Sequence, residues 1–230
     1  MTNGILDSSQ KIVTNGLVLN YDAAQLLSYP TTGTTITDLS GNSNNGTLVN
    51  GVGFNSSNGG SLVFDGVNDY QTGNISNLGL NANGTFTVEC ILKYNNTSGT
   101  QNPLTLTGIS NNSVQIGIIS GANIVWKYGG TTVITYSAPP AGNIYTISVS
   151  ITPTLVNVYI NGILNNTNNS PVLQTGALTY LYNSGYSTSG TLTPSSYFNG
   201  NIYQTRIYNR VLSATEVLQN FNANKSRYGL

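Results

Sequence analysis

The sequence predicts an all-β chain: a jelly-roll β-sandwich of two antiparallel sheets with one short C-terminal helix. Three observations predict it. Apolar residues alternate with polar ones over many short runs. Asn- and Gly-rich breaks separate those runs at close spacing. One capped amphipathic segment occurs, near the end.

Residues 1–14 are polar with little alternation and read as an N-terminal arm or edge strand; residues 15–230 form the domain. "LVLNY" (17–21) and "SLVFDG" (61–66) are the first strands. "TFTVECILK" (85–93) places Phe86, Val88, Cys90 and Leu92 on one face and Thr87, Glu89, Ile91 and Lys93 on the other, the period of a half-buried strand. On that pattern Glu89 is a solvent-facing residue or a partner for Lys93. "SVQIGIIS" (113–120), "NIVWKY" (123–128) and "TVITY" (132–136) follow, then "IYTISVSI" (144–151) and "LVNVYI" (155–160). Asn161-Gly162 sits between two apolar runs, and both residues accept positive φ, so a type I′ hairpin is expected. "LTYLY" (178–182) and "NIYQTRIY" (201–208) complete the strands. In "SATEVLQNFNA", Ser213 precedes Glu216 by three residues, the spacing of a capping box, and Val217, Leu218 and Phe221 supply an apolar stripe. Arg206 alternates with apolar residues and is expected beneath that helix, paired with Glu216 or Asp22.

Composition narrows function. Only 6% of the residues are charged and the formal net charge is zero, whereas about 25% is usual. Nucleic acid needs clustered Lys and Arg, so it is excluded as a partner. No apolar run reaches the roughly 20 residues of a membrane helix, so no membrane insertion is expected. The N-terminus shows no basic, then apolar, signal segment. The single Cys90 forms no internal disulfide and is expected as inert core. There is no His, which removes Ser-His-Asp and Cys-His schemes and the usual zinc ligands. No organic cofactor is expected, and the chain reads as a non-enzyme: glycan cleavage needs paired carboxylates, and Glu89 stands alone on its strand. Asn, Ser and Thr amides and hydroxyls, indifferent to salt and pH, suit an exposed surface.

Five stretches carry a family resemblance: "NGLVLNYDAA" (15–24), "DLSGNSNNGTLVNG" (38–51), "GGSLVFDGVNDY" (59–70), "VNVYING" (156–162) and "GNIYQTRIYNRVLSATEV" (200–217). In this order they resemble the laminin-G-like, concanavalin A-like jelly rolls over nearly the whole chain. The resemblance implies binding of carbohydrate or protein, often with calcium. The "NRVLSATEV…KSRYGL" ending is similar to versions found in bacteriophage virion proteins, in capsid decorations and tail fibres. It implies a virion-exterior protein made in the host cytoplasm, with other virion proteins, cell-surface or environmental polysaccharide, and a homo-oligomer such as a trimer as partners.

Two sets of residues are candidate sites. Asp38, Asn42, Asn45, Asp65 and Asp69 are oxygen donors in the two motifs the resemblance brings together. They suit one Ca2+ ion or, as the alternative, turn-making by side chains that bond the backbone two residues on. Position six and position twelve of the Asp38 loop are Ser43 and Val49, so it is not an EF-hand. Trp126, Tyr128, Tyr180, Tyr182 and Tyr186 are candidates for stacking on sugar rings, with strand packing as the alternative use.

Overall fold

A computed structural model describes residues 11–96, 98–108, 113–119, 123–128, 131–137, 139–187, 192–193 and 196–230. In chain order its strands are β1 (Leu17–Asp22), β2 (Thr35–Ile36), β3 (Gly46–Val49), β4 (Gly53–Asn55), β5 (Ser61–Asp65), β6 (Tyr70–Asn74), β7 (Phe86–Tyr94), β8 (Gln101–Thr107) and β9 (Ser113–Ile119). Then come β10 (Asn123–Tyr128), β11 (Thr131–Ser137), β12 (Tyr145–Thr152), β13 (Leu155–Ile160), β14 (Ile163–Asn168), β15 (Tyr180–Asn183), β16 (Tyr186–Ser187), β17 (Leu192–Thr193) and β18 (Asn199–Tyr208). A single α-helix, α1, spans Ala214–Tyr228.

The first eight-stranded sheet runs β14-β13-β12-β7-β18-β5-β4, with β1 also on β18. The long β18 carries two partners on one edge: residues 199–202 pair with β5 and residues 204–208 with β1. The second sheet runs β11-β10-β9-β8-β15-β6-β3-β2. Every ladder is antiparallel, as the sandwich prediction requires. The inner faces meet in one core that includes Phe86, Val88, Cys90 and Leu92 from β7 and Leu104, Leu106, Ile116 and Trp126 from the opposite sheet. Cys90 is fully buried, and burial pushes its thiol up to about 12, which keeps it unreactive. On one side the sandwich is laced shut: the Asn166 and Asn168 amides of β14 donate to the Thr135 and Val133 carbonyls of β11 at 3.0 and 2.9 Å. Those are edge-strand carbonyls, so the lacing also blunts an exposed edge. No helix among the described residues is long and apolar enough to cross a membrane.

The Asn161-Gly162 hairpin forms as expected, with φ of 50° and 80° and Ile160 paired to Ile163. The β3, β6, β8 and β14 strands carry weak alternation (GTLV, YQTGN, QNPLTLT, ILNNTN) and were not evident in the sequence; their neighbours define them.

The helix is where expectation and structure differ most. The capping box is present: the Glu216 N–H donates to Ser213 Oγ, and Glu216 Oε2 accepts from the Ser213 N–H at 2.9 Å. The buried stripe, however, is Val217, Asn220, Asn224 and Tyr228, while Leu218 is 42% exposed and Phe221 half-buried. The stripe is half polar because of what lies beneath it. Glu89 is neither solvent-facing nor bound to Lys93. It is buried on the outer face of β7, where its carboxylate accepts from Arg206 at 3.5 Å, Asn220 at 2.8 Å and Ser148 at 2.9 Å. Arg206 does lie under the helix, but its partner is Glu89 across the β7–β18 ladder, where the two residues are in register. Its guanidinium also donates to Gln204 and Asn224. The two acids offered for Arg206 pair elsewhere: Glu216 with Arg210 at 2.6 Å and Asp22 with Arg227 at 2.9 Å. Thus all three arginines of the chain fasten α1 to the sheet.

Replacing one member of the buried pair leaves the other charge uncompensated. Glu89→Gln should cost about 3–5 kcal/mol and lower Tm by roughly 10 °C in calorimetry; a shift under about 2 °C would remove the pair from its central place. The half-exposed pair is a pH handle. Hydrogen bonds from Arg210, with lesser help from the Ser213 backbone, hold the Glu216 carboxyl down at about 2. Its stabilisation is complete above the unfolded value near 4.3 and is lost as pH falls toward 2. The urea midpoints of wild type and Glu216→Gln should therefore differ at neutral pH, by an amount equivalent to about 1 kcal/mol, and converge between pH 4.5 and 2.

Candidate functional site

The "DLSGNSNNGTLVNG" stretch is a strap between two parts of the fold. At its start, the Asp38 carboxylate accepts backbone N–H groups of Asn20 (2.9 Å), Ser40 (2.9 Å) and Asn44 (3.1 Å), and the Ser40 hydroxyl at 2.8 Å. Ser40 and Asn42 side chains donate in turn to the Val18 carbonyl of β1, and Asn45 Oδ1 accepts the Asp38 N–H at 3.0 Å. Tyr21 reaches from β1 to the Asn44 carbonyl. Its hydroxyl passes so close to Gly73 that a Cβ there would sit 2.7 Å away, and opposite it Gly46 is crowded by Gln71 and Ile36. Glycine is needed at both positions for clearance, not for φ. At the far end of the strap, the Asn50 amide donates to the Asn68 carbonyl at 3.0 Å, beside the Asp65–Asp69 turn.

That turn is closed reciprocally. Asp65 Oδ1 accepts from Val67, Asn68 and Asp69 N–H groups, and Asp69 Oδ2 accepts the Asp65 N–H at 3.3 Å. Burial pulls the Asp65 carboxyl up, but those three N–H groups outweigh it and hold it below the usual range. Asp69 is raised, by burial first and by the neighbouring Asp65 charge second.

The calcium candidates are therefore not one set. Asp38, Asn42 and Asn45 lie at the start of β3, and Asp65 and Asp69 lie beyond its end, beside Asn50. The four residues of β3 separate Asn45 from Asn50, five steps of extended chain or roughly 16 Å, whereas calcium ligands stand about 2.3–2.6 Å from the ion. Among the described residues no three Asp, Glu, His or Cys side chains gather into a metal-holding group. These donors do not fit a single shared ion; they make turns. The same chemistry recurs in four Asn-x-Ser triplets of the chain: Asn55, Asn74, Asn96 and Asn168 each accept the N–H of the serine two residues on.

The aromatic candidates divide. Trp126 shares the inward phase of Ile124 on β10 and is 1% exposed, in the core opposite Ile116. It is no sugar platform; in "NIVWKY" three consecutive apolar residues hide which phase faces in. The side chains of Tyr128 and Tyr186 lie outside the described residues. Tyr180 and Tyr182 face outward on β15, as the full burial of Leu181 between them dictates. Their rings stack at 6.5 Å between centroids, and Tyr182 meets Tyr70 of β6 at 6.3 Å. Tyr70 was missed because it ends a turn motif; it comes beside Tyr182 only because β6 pairs with β15, where Tyr182 faces Thr72, two residues on from Tyr70. Tyr180 is 36% exposed and Tyr182 5%. Burial raises the Tyr182 hydroxyl pKa, and a hydrogen bond with Thr72 opposes it. Tyr197, raised by burial and then by Tyr70, continues the row.

The row leads to a polar cavity of about 300 Å³ at one end of the sandwich, lined by Gly66, Asn96, Ser98, Thr100, Tyr197 and Asn199, among others. Its walls are pinned by Gln101, whose amide donates to Asn96 and Ser98 and whose Oε1 accepts the Asn199 N–H at 2.9 Å. The half-buried Tyr70 and Tyr197 rings beside the cavity's fixed amides and hydroxyls, and the exposed Tyr180 ring at the far end of the row, can stack on sugar faces, with the cavity walls hydrogen-bonding their rims.

A sequence profile described as the concanavalin A-like lectin/glucanases superfamily matches residues 65–218. No curated protein matches the chain. Among solved structures, a Trypanosoma rangeli sialidase in complex with sialic acid is similar at a TM-score of 0.70 and 16% identity, over 92% of this chain and 33% of that one. The binding domain of botulinum neurotoxin serotype G is similar at 0.66 and 17%, over 89% and 50%. The chain thus spans about a third to a half of these proteins, and at such identity the likeness is one of fold.

If Asp38 is a turn-maker, Asp38→Ala should lower stability by about 2–4 kcal/mol, and hydrogen exchange should quicken at Asn20, Ser40 and Asn44. The same loss is expected with calcium or chelator present.

Proposed function

The chain belongs to the concanavalin A-like lectin/glucanases superfamily, and from that premise we propose that it is a non-catalytic module that binds polysaccharide through the tyrosine shelf. The observation that carries this is the row Tyr180–Tyr182–Tyr70 on the outer face of the second sheet, running toward a polar cavity with amide and hydroxyl walls. One of the neighbours in fold, the botulinum neurotoxin serotype G structure, is a binding domain, which is consistent with it. Against catalysis stands the use of the carboxylates. Glu89 is buried against Arg206, and Asp65 and Asp69 are occupied in closing one turn.

The reading extends to place. A protein whose surface relies on amides and hydroxyls, with its arginines consumed under one helix, keeps its surface chemistry across salt and pH. We place it on the exterior of a virus particle, beside other virion proteins, where many copies raise the avidity of weak sites. A second reading, a purely structural decoration or fibre protein, is favoured by Ile163, Leu164 and Leu218. They are 69, 50 and 42% exposed, and the hairpin and helix that carry them adjoin at Gly162.

The test is retention of labelled protein on immobilised dextran, mannan, xylan and galactomannan and on bacterial surface extracts, with calcium and with chelator. Retention is expected in both conditions, with Tyr180→Ala weakening it roughly five- to thirtyfold, as for loss of a 1–2 kcal/mol aromatic contact, and moving stability by less than about 1 kcal/mol. Failure of the folded protein to bind any of these would transfer support to the structural reading.

A further inference from the structure

We propose that the tyrosine shelf and its adjoining cavity select uncharged polysaccharides and discriminate against anionic ones such as uronates and sulfated chains. This rests on the binding-module reading and narrows its substrate class.

Carboxylate and sulfate groups are recognised by Arg forks or Lys ammonium groups. The chain has seven such residues, and the structure places each away from the shelf. Arg206, Arg210 and Arg227 are paired to Glu89, Glu216 and Asp22 around α1. Lys225 lies in the last turn of the same helix, and Lys11 lies against it, its carbonyl accepting from Gln219 at 2.8 Å. Lys93, on the strand that leads into the cavity's loop, instead lines a separate cavity of about 450 Å³ with Asn58, Tyr145 and Tyr228. Lys127 alone shares the outer face of the second sheet, being out of phase with the inward Trp126. The register runs Lys127, Gln115, Thr105, Tyr182 across three strand spacings, roughly 14 Å, beyond the Debye length of about 8 Å at physiological salt. Burial also lowers the Lys127 pKa.

The charges that do lie at the site are negative. Asp65 and Asp69 close the turn that delivers Gly66 to the cavity wall and Tyr70 to the ring row. No cation answers them within the turn, whose hydrogen bonds come from backbone N–H groups. A ligand carboxylate about 8 Å away meets repulsion worth roughly a fivefold loss of affinity at an effective dielectric near 40. The remaining walls are amides, hydroxyls and rings, which match neutral sugar hydroxyls.

The experiment compares the full chain on neutral polymers (dextran, mannan, xylan, galactomannan) with polygalacturonate and heparin, and on polygalacturonate against its methyl-esterified form. Dissociation constants are taken at about 20 mM and 500 mM NaCl, spanning Debye lengths of roughly 20 and 4 Å. Neutral polymers are expected to bind at least fivefold more tightly than anionic ones at low salt. The gap should narrow at high salt and in Asp65→Asn, which keeps the Oδ1 acceptor for the turn while removing the charge. Equal or tighter binding of anionic polymers overturns the inference, and so does a neutral preference that neither salt nor Asp65→Asn changes. Absence of binding to every polymer instead overturns the binding-module reading on which it stands.

Discussion

The structure depends on one buried ion pair. Glu89 and Arg206 face each other across two central strands of the first sheet, and neither charge could stay there uncovered by polar partners. The helix supplies those partners: Asn220 bonds Glu89, and Asn224 bonds Arg206. The network then spreads outward. Gln204 links Asn224 to Asp22, Asp22 holds Arg227, and Asn220 engages Tyr208 and the Val13 backbone. The N-terminal strand, the central strand and the C-terminal helix are thus one hydrogen-bonded unit. An apolar interface would hold the helix as tightly, but it would tolerate sliding; paired charges with fixed partners admit one register.

That arrangement uses up the molecule's arginines. Each arginine is paired under or beside α1, so the rest of the surface works with amides, hydroxyls and tyrosines. The Asn-rich sequence is the complement of this economy. Asn and Asp side chains close turns across the whole chain by accepting the N–H two residues on, and two of them lace one sheet edge to the other. Loops stitched this way present fixed polar groups rather than mobile ones. The cavity beside Tyr197, with Gln101 bonded to both walls, is the clearest instance.

The shelf illustrates why the fold alone does not settle function. Its rings come from β6, β15 and the segment entering β18, and only the sandwich makes them neighbours. On the same sheet Thr105, Gln115 and Val125, one, two and three strands from β15, are fully buried on that outer phase. Tyr180, Thr47 and Asn74 are exposed on that face, and so are Thr135 and Ser137 at its β11 edge.

The fold class, the Asn161-Gly162 hairpin, the Ser213–Glu216 capping box and the burial of Arg206 were all determined by the sequence itself. Each rests on local spacing: period two, a turn dipeptide, a three-residue cap, an arginine among apolar neighbours. The partner of Arg206, the burial of Trp126, the polar stripe of α1, the separation of Asp38 from Asp65 and Asp69, and the joining of Tyr70 to Tyr180 and Tyr182 were decided only by the tertiary structure. These depend on which strands pair, in which register, and on which sheet face is covered. Alternation shows that a strand has two faces, but only packing decides which one meets the core, which one meets a helix, and which one meets water.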